Sequence, residues 1–153
     1  MNAAASPIVE LAPGAEANGF AVMMGDLVRQ NLEANPHKRK DFDALTCNVA
    51  IVVEDADVAL TLCFEGGHLT VRDGVSGIPD ATIRGDADSV IAMSNVPLSR
   101  RFGVPWAHPR DKVAVASLKA FLSASVQGRV HVHARLGAIA MLGKLTRIMS
   151  VHG

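Results

Sequence analysis

The sequence predicts an α+β fold, an α/β sandwich in which a curved, mostly antiparallel sheet of five strands is covered on one face by helices. Three observations lead to this prediction. Residues 46–54 and 58–71 alternate apolar and polar side chains with period two, as half-buried strands do. Apolar residues recur at spacings of three and four in residues 20–35 and again in 137–151, as in amphipathic helices. The 153-residue chain is long enough to bury a core as one domain.

Composition narrows the function classes. Fifteen basic and fifteen acidic residues cancel, so net charge does not attract the chain to nucleic acid or to an anionic membrane, and a neutral or apolar ligand is expected. The chain is 49% hydrophobic but only 4% aromatic, and its six methionines suit an adaptable cavity and an ordinary core equally. No apolar run has a membrane-spanning length and residues 1–19 do not resemble a signal peptide, so we expect a soluble cytoplasmic protein.

The chain begins with an Ala-, Pro- and Gly-rich stretch, residues 1–19, which is predicted to be a flexible tail before a single domain at 20–153. A helix then begins near Phe20 and ends near Asn35, where a proline follows. The cations from His37 to Lys40 come after it. Two interpretations of these cations stay open, capping of the helix C-terminus and contact with phospholipid head groups.

The first strand, residues 46–54, ends in a turn that carries Glu54, Asp55 and Asp57. These acids lack the glycine and the distal glutamate of a calcium loop, so they are predicted to be solvated. A hairpin across this turn would place Cys47 near residue 64 and Cys63 near residue 48. The two thiols would then point to opposite faces of the sheet, and two reduced cysteines are predicted.

The central hairpin organises the rest of the chain. Leu60, Leu62 and Phe64 share one face of the strand that begins at residue 58. A Glu-Gly-Gly turn follows this strand, and residues 69–71 resume the alternation in the second strand of the hairpin. A third short strand at 81–83 leads to Gly-Asp, which is predicted to start a helix over 86–95 with the aspartate as its N-cap. Val90, Ile91 and Met93 are expected to face inward from this helix.

Residues 96–110 contain three prolines and are predicted to be irregular, yet they hold Leu98, Phe102 and Trp106. These side chains are predicted to form a lid or a partner loop. Packing on the body of the protein, closure of a ligand entrance and contact with a membrane or partner are all open at this point.

A helix is predicted over 111–125, a last strand over 130–134 and a C-terminal helix over 137–151. That helix is apolar on more than one stripe, which fits a buried core helix, a cavity wall or a dimer contact. His131 and His133 point to one side of the last strand, but a third metal ligand is not evident unless His108 approaches them, so no metal site is predicted. The sequence lacks a nucleophile elbow, a phosphate-binding loop and paired-cysteine or zinc-protease motifs, so no catalytic residue or cofactor is predicted.

Two stretches resemble a known family. Pro79-Asp80-Ala81-Thr82-Ile83-Arg84-Gly85-Asp86 and Gln127-Gly128-Arg129-Val130-His131-Val132, each followed by a helix, are similar to the strand-to-helix steps of the sterol-carrier-protein-2 (SCP2) family, over residues 20–150. The resemblance implies a bacterial SCP2-like carrier that binds or transfers a fatty acyl, sterol or isoprenoid lipid in a tunnel between sheet and helices. The chain ends in Ser-Val-His-Gly, unlike the peroxisomal tail of eukaryotic members.

The candidate lining residues of such a tunnel are the apolar positions Leu60, Leu62, Phe64, Val90, Met93, Phe121, Leu122, Met141, Leu145 and Met149. The alternative function is that of an accessory or scaffold protein in lipid or ubiquinone biosynthesis, acting through protein partners. The expected partners are thus a hydrophobic small molecule or lipid, with a transient membrane contact, a homodimer or a partner enzyme left open, and no nucleic acid.

Overall fold

The computed structural model describes residues 8–94, 130–135 and 139–149, and these residues form one mixed sheet with helices. The strands are β1 (Ile8–Leu11), β2 (Thr46–Val53), β3 (Val58–Glu65), β4 (His68–Asp73), β5 (Ala81–Gly85) and β6 (Val130–Ala134). The helices are α1 (Gly19–Ala34), α2 (Arg39–Asp43), α3 (Ala87–Ser94) and α4 (Ile139–Met149), with 3-10 turns at Ala15–Ala17 and Pro36–Lys38. The predicted α+β class is confirmed. None of the described helices is long and apolar enough to cross a membrane.

The sheet has the strand order β1-β4-β3-β2-β5-β6 and is mostly antiparallel, as predicted. The β2–β3, β3–β4 and β5–β6 pairs are antiparallel, whereas β1 runs parallel to β4 and β5 runs parallel to β2. The chain must therefore cross over β3 and β2 between β4 and β5. This crossover lies on one face of the sheet, and the helices cover the other.

The sixth strand is β1, and it corrects the sequence prediction of a tail at the N-terminus. Val9 lies opposite Leu69 in the parallel pair with β4, and the N–H of Ala12 donates to the carbonyl oxygen of Val71 at 2.8 Å. A strand of four residues in an Ala-, Pro- and Gly-rich stretch has no detectable period of its own. Pairing with β4, which is distant in sequence, and packing under α1 hold it in place.

Helix α1 packs closely over β1 and β4. The side chain of Asn18 caps its start by accepting the N–H of Ala21 at 3.2 Å. Gly25 faces the sheet, and a methyl group at this position would lie 3.6 Å from side-chain atoms of Val9 and Val71. These are ordinary van der Waals distances, so α1 lies directly over β1 and β4 and covers the sheet edge that β1 forms.

The central hairpin is as predicted. Gly66 and Gly67 form its turn with φ of 55° and 93°, a left-handed conformation that favours glycine. In the pairing of β3 with β2, Cys47 lies opposite Phe64 and Cys63 lies opposite Asn48. The two cysteines therefore point to opposite faces of the sheet. Both are free thiols, which confirms the prediction.

Helix α3 also begins as predicted. The carboxylate of Asp86 accepts the N–H of Ser89 at 2.7 Å, which is the N-cap geometry expected for this residue. The turn acids of β2–β3 are exposed, as predicted, and one of them has a second role. Asp55 accepts the N–H of Ala87 at 2.8 Å and so fixes the start of α3 beside the turn.

Candidate functional site

The inner face of the sheet, the face that the helices cover, is apolar across its central strands. Leu60, Leu62 and Phe64 are fully buried on β3. In the register of the sheet Leu60 lies opposite Ile51, and Leu62 lies opposite Val49. Opposed residues share a face, so the alternating apolar residues of β2, β3 and β4 form one continuous apolar surface.

The structure brings several of the predicted lining residues together in one apolar core. These are Leu60, Leu62, Phe64, Val90 and Leu145, with Met141 and Met149 partly buried against them. Met93 belongs to α3, but its side chain lies outside the described part. Phe121 and Leu122 also lie outside the described residues, as do Leu98, Phe102 and Trp106 of the predicted lid or partner loop. That these residues line a tunnel stays a prediction.

Helix α4 is held over this surface by polar contacts to the other helices. The buried side chain of Asn31, on α1, donates to the carbonyl oxygens of Ile148 at 3.1 Å and Met149 at 2.9 Å. These carbonyls belong to the last turn of α4 and have no partner within the helix. Arg147 reaches Asp41 of α2 at 3.4 Å. The C-terminal helix is thus fixed to both α1 and α2.

The apolar surface reaches solvent beside β6. Val132 lies opposite Ile83 and therefore on the inner face, yet 45% of its surface is exposed. Ile91, on α3, is 40% exposed, although the sequence predicts that it faces inward. Because α3 packs on β5 and on α4, the helix layer comes close to this edge of the sheet. Apolar side chains thus stand at the margin of the helix-covered side.

The cations that follow α1 do not extend that helix. Pro36–Lys38 forms a 3-10 turn, and Arg39 starts α2, where its Nε lies 2.9 Å from Asp43 and its guanidinium lies 5.8 Å from the ring centre of Phe42. Lys38 is buried, and burial lowers the pKa of its amine.

The chemistry of the two thiols differs because their faces differ. Cys47 is buried on the inner face, and burial, followed by the nearby charges of Asp80 and Cys63, raises the pKa of its thiol to about 11. A thiol that stays protonated at neutral pH is a weak nucleophile and a weak metal ligand. Cys47 therefore acts as a small apolar residue of the core.

The outer face of the sheet carries polar groups that the sequence interpretation left without a role. His131 lies opposite Arg84, and His133 lies opposite Thr82, so both imidazoles share this face and are exposed. Within the described ranges, no three His, Cys, Asp or Glu side chains are grouped so that they could hold a metal. An open hollow of about 300 Å³ lies beside Arg84 on this face, near the β2–β3 turn. It is lined by Val52, Val53, Glu54, Asp57, Val58, Ala59 and Arg84.

Comparison with known proteins supports the fold. No family model and no curated protein sequence matches the chain. Among solved structures, a "UbiJ-SCP2 Ubiquinone synthesis protein" aligns with a TM-score of 0.57 at 14% identity, covering 85% of this chain and 92% of that one. The sec-alkylsulfatase Pisa1 from Pseudomonas sp. aligns with a TM-score of 0.51 at 16% identity, over 91% of this chain but 17% of that one. A sterol carrier protein 2 aligns at 0.42 and 14% identity, over 84% and 94%.

The first of these alignments spans almost the whole of both chains. The chain therefore has the fold of SCP2 domains, and the resemblance drawn from its strand-to-helix steps is confirmed at the level of the fold. The alignment with the sulfatase covers a small part of a much longer enzyme, so an SCP2-like unit is also found as one piece of a larger chain.

Proposed function

We propose that the protein binds or transfers a hydrophobic ligand without changing it chemically. The ligand is a fatty acyl, sterol or isoprenoid lipid, and it lies between the inner face of the sheet and helices α3 and α4. The observation that carries the proposal is the apolar margin formed by Ile91 and Val132, where the inner face of an SCP2 fold comes to the surface. An apolar ligand entering there would meet the apolar side chain of Ile83, which lies opposite Val132.

The energy of such binding comes from the area removed from water, about 25 cal/mol for each Å² of apolar surface. The side chains nearest the helix layer suit this role, because Met141 and Met149 are only partly buried against the core. Methionine has an unbranched and polarizable side chain that adapts to ligands of different shape. The proposed site includes the predicted lining residues on β3, α3 and α4, together with residues 121 and 122.

A second function is supported by a separate observation. The structure that aligns over 92% of its own length is described as a ubiquinone synthesis protein. By analogy, this chain would serve lipid or quinone metabolism as an accessory protein that presents a ligand, or itself, to a partner enzyme. The predicted partner loop with Leu98, Phe102 and Trp106 would then make the contact, either in a homodimer or with that enzyme. For both the carrier function and the accessory function we propose a cytoplasmic location and a transient membrane contact.

The test is native mass spectrometry of the gently purified chain, followed by organic extraction and uptake of a fluorescent fatty acid and a fluorescent sterol. We expect a stoichiometric adduct that is lost on extraction. Met141→Lys should weaken uptake by about tenfold or more, because it places a charge against the apolar site. Met23→Lys is the matched control, since Met23 is an exposed methionine on α1, and it should leave uptake unchanged.

A bare chain mass together with no uptake of either probe would refute the carrier function. The accessory function would then be tested by affinity purification against the ligand-free protein. Equal loss of uptake in the two methionine variants would refute the proposed position of the site, because Met23 is exposed on α1 and is not among the residues of the proposed site.

A further inference from the structure

The two edges of the sheet differ in how their backbone groups are covered. On the edge strand β1, the carbonyl oxygen of Val9 accepts a hydrogen bond from the guanidinium of Arg29 at 3.2 Å, and α1, which carries this arginine, packs on the strand. At the opposite edge, no described strand pairs with the free side of β6. The residues from His131 to Ala134 are exposed in succession, so both faces of β6 reach solvent there.

The hydrogen bonds between β5 and β6 show which backbone groups lie at this free edge. The N–H of Arg135 donates to the carbonyl oxygen of Asp80 at 3.0 Å. Bonded and non-bonded positions alternate along an antiparallel pair, so His133 and His131 are the next residues bonded to β5. The backbone N–H and C=O groups of the alternate residues therefore point away from β5. These residues are Val130, Val132 and Ala134.

Strand β6 lacks the features by which edge strands avoid pairing with another chain. Residues Val130–Ala134 include no lysine, no proline and no formally charged side chain, and their register with β5 contains no bulge. The unpaired positions are symmetric about Val132. A second β6 that runs antiparallel, with Val132 opposite Val132, would pair all three of these positions in each strand. The edge is thus complementary to itself, and a second copy of the chain is the occupant that it fits.

In that pairing the imidazoles of the two copies meet on the outer face. His131 would lie opposite His133 of the second copy in a non-hydrogen-bonded pair, where opposed β-carbon atoms are about 5 Å apart. Alternate residues of one strand are about 7 Å apart. Four imidazoles would therefore surround one point on the two-fold axis. One copy supplies only two, and in the described part of the chain no other His, Cys, Asp or Glu completes a group of three.

We propose that two copies of the chain pair through β6 and bind one zinc ion between His131 and His133 of both copies. Imidazole nitrogens bind zinc at about 2.0 to 2.1 Å, and four ligands in a tetrahedral arrangement are usual for a structural site. A pair of five-residue strands buries far less than the roughly 800 Å² that each partner buries in a standard interface. The dimer therefore depends on the ion, and the site is incomplete without the second copy.

The charges around the proposed site do not oppose a cation. Arg84 lies opposite His131, and its Nε is 3.6 Å from the carboxylate of Glu54. Asp80 and Arg135 lie next to each other where the strand ends. Each described arginine beside β6 thus has a carboxylate close to it in the fold, and the imidazoles themselves are neutral ligands when they bind a metal.

The test is the mass of the untagged full chain by light scattering, together with its zinc content after dialysis. We expect a monomer after treatment with a chelator, and a dimer with one zinc ion for every two chains when zinc is added. The double variant His131→Ala with His133→Ala should lose both the zinc and the dimer. Val132→Lys should also stay monomeric, because it places two ammonium groups opposite each other at the centre of the pair.

Matched controls separate these effects from a general loss of histidine or valine. His37→Ala with His68→Ala removes two imidazoles from other parts of the structure, and Val75→Lys changes another exposed valine. Both controls should dimerise with zinc like the original chain. A monomer in the presence of zinc, one zinc ion bound by each monomer, or a zinc dimer that persists in the His131 and His133 variant would each overturn the proposal. So would a dimer that the chelator leaves intact.

The inference does not rest on the proposed function, although the two meet at Val132. Pairing places the second copy against this side of the apolar margin, so the zinc-bound dimer should take up the fluorescent fatty acid more slowly than the metal-free chain. In the His131 and His133 variant the two rates should be equal. A chain that takes up no ligand in either state would refute the carrier function, while its mass and zinc content would still decide whether the metal-bridged dimer exists.

Discussion

The two faces of the sheet differ in what covers them. The inner face is apolar and lies under the helices, and among the described residues it reaches solvent near Val132 and Ile91 at one edge and at Leu11, which is 37% exposed, at the other. The outer face is polar at most positions, and residues 74–80, the outer strap, are hydrogen-bonded across it from Thr61 to Asn48. The inner face therefore provides most of the hydrophobic stabilisation, while the outer face leaves charged groups available for contacts. Changes on neighbouring residues of one strand test this difference directly, because successive side chains point to opposite faces.

The largest expected effect is that of Phe64→Ala on the inner face. Phe64 is buried, and its ring packs edge-on against Phe42 with ring centres 6.1 Å apart. Its loss should lower the free energy of unfolding by about 3 to 5 kcal/mol, as measured by urea denaturation. Cys63→Ala, one residue earlier on the outer face, should cost less than about 1 kcal/mol. Similar losses at the two positions would mean that both faces are packed.

The next effect is a pH dependence that belongs to one of the two cysteines. The pKa of the Cys47 thiol is raised to about 11 in the folded protein, so the unfolded chain loses this proton first as the pH rises. The resulting stability is fully present below about pH 8.5 and is lost between there and pH 11. The loss should amount to about 2 to 3 kcal/mol. This loss of stability with rising pH should be smaller in Cys47→Ala than in the original chain, and it should be largely retained in Cys63→Ala. An equal pH dependence of stability in all three proteins would contradict the prediction.

Local patterns were sufficient to predict the centre of the fold. The alternation of β2 and β3 and the short turn between them set the register, so the opposition of Cys47 and Phe64 followed from counting residues. The same holds for the Asp86 cap, since an aspartate before an apolar helix has one favourable local role. These features depend on residues that are close in sequence.

The missed features depend on contacts between distant residues. Strand β1 is stable because it pairs with β4, and the outer strap is held by the hydroxyl of Thr61. One signal of the strap was present in the sequence. Val75 and Ile78 lie among glycines and a proline, outside any alternating run, so they could not belong to the inner face of a strand. The apolar character of β3, α3 and α4 in the candidate site could be predicted from the sequence. The exposure of Ile91 could not, because it depends on how the helices pack against each other and against the sheet.

The inner face can be tested further through the contact that holds α4 over it. Asn31→Ala removes the donor that reaches the carbonyl oxygens of Ile148 and Met149 and leaves those groups without this partner. We expect a loss of about 1 to 3 kcal/mol in the free energy of unfolding. The neighbouring exposed residue Gln30 is the control, and Gln30→Ala should change stability by less than about 0.5 kcal/mol. Equal effects of the two changes would show that the Asn31 contact does not stabilise the helix layer.

The smallest expected effect is that of Thr61→Val on the outer face. Valine keeps the shape of the buried side chain but lacks the hydroxyl that binds Gly74 and Ser76, so the strap loses these two hydrogen bonds and keeps the one from the Gly74 N–H to the carbonyl oxygen of Ala59. The expected loss is about 1 to 2 kcal/mol, with faster hydrogen exchange at the Ser76 amide. Thr70→Val, at a half-buried position on the same face, should leave that exchange rate unchanged. If the Ser76 amide exchanged equally fast in both variants, the Thr61 hydroxyl would not restrain the strap at Ser76.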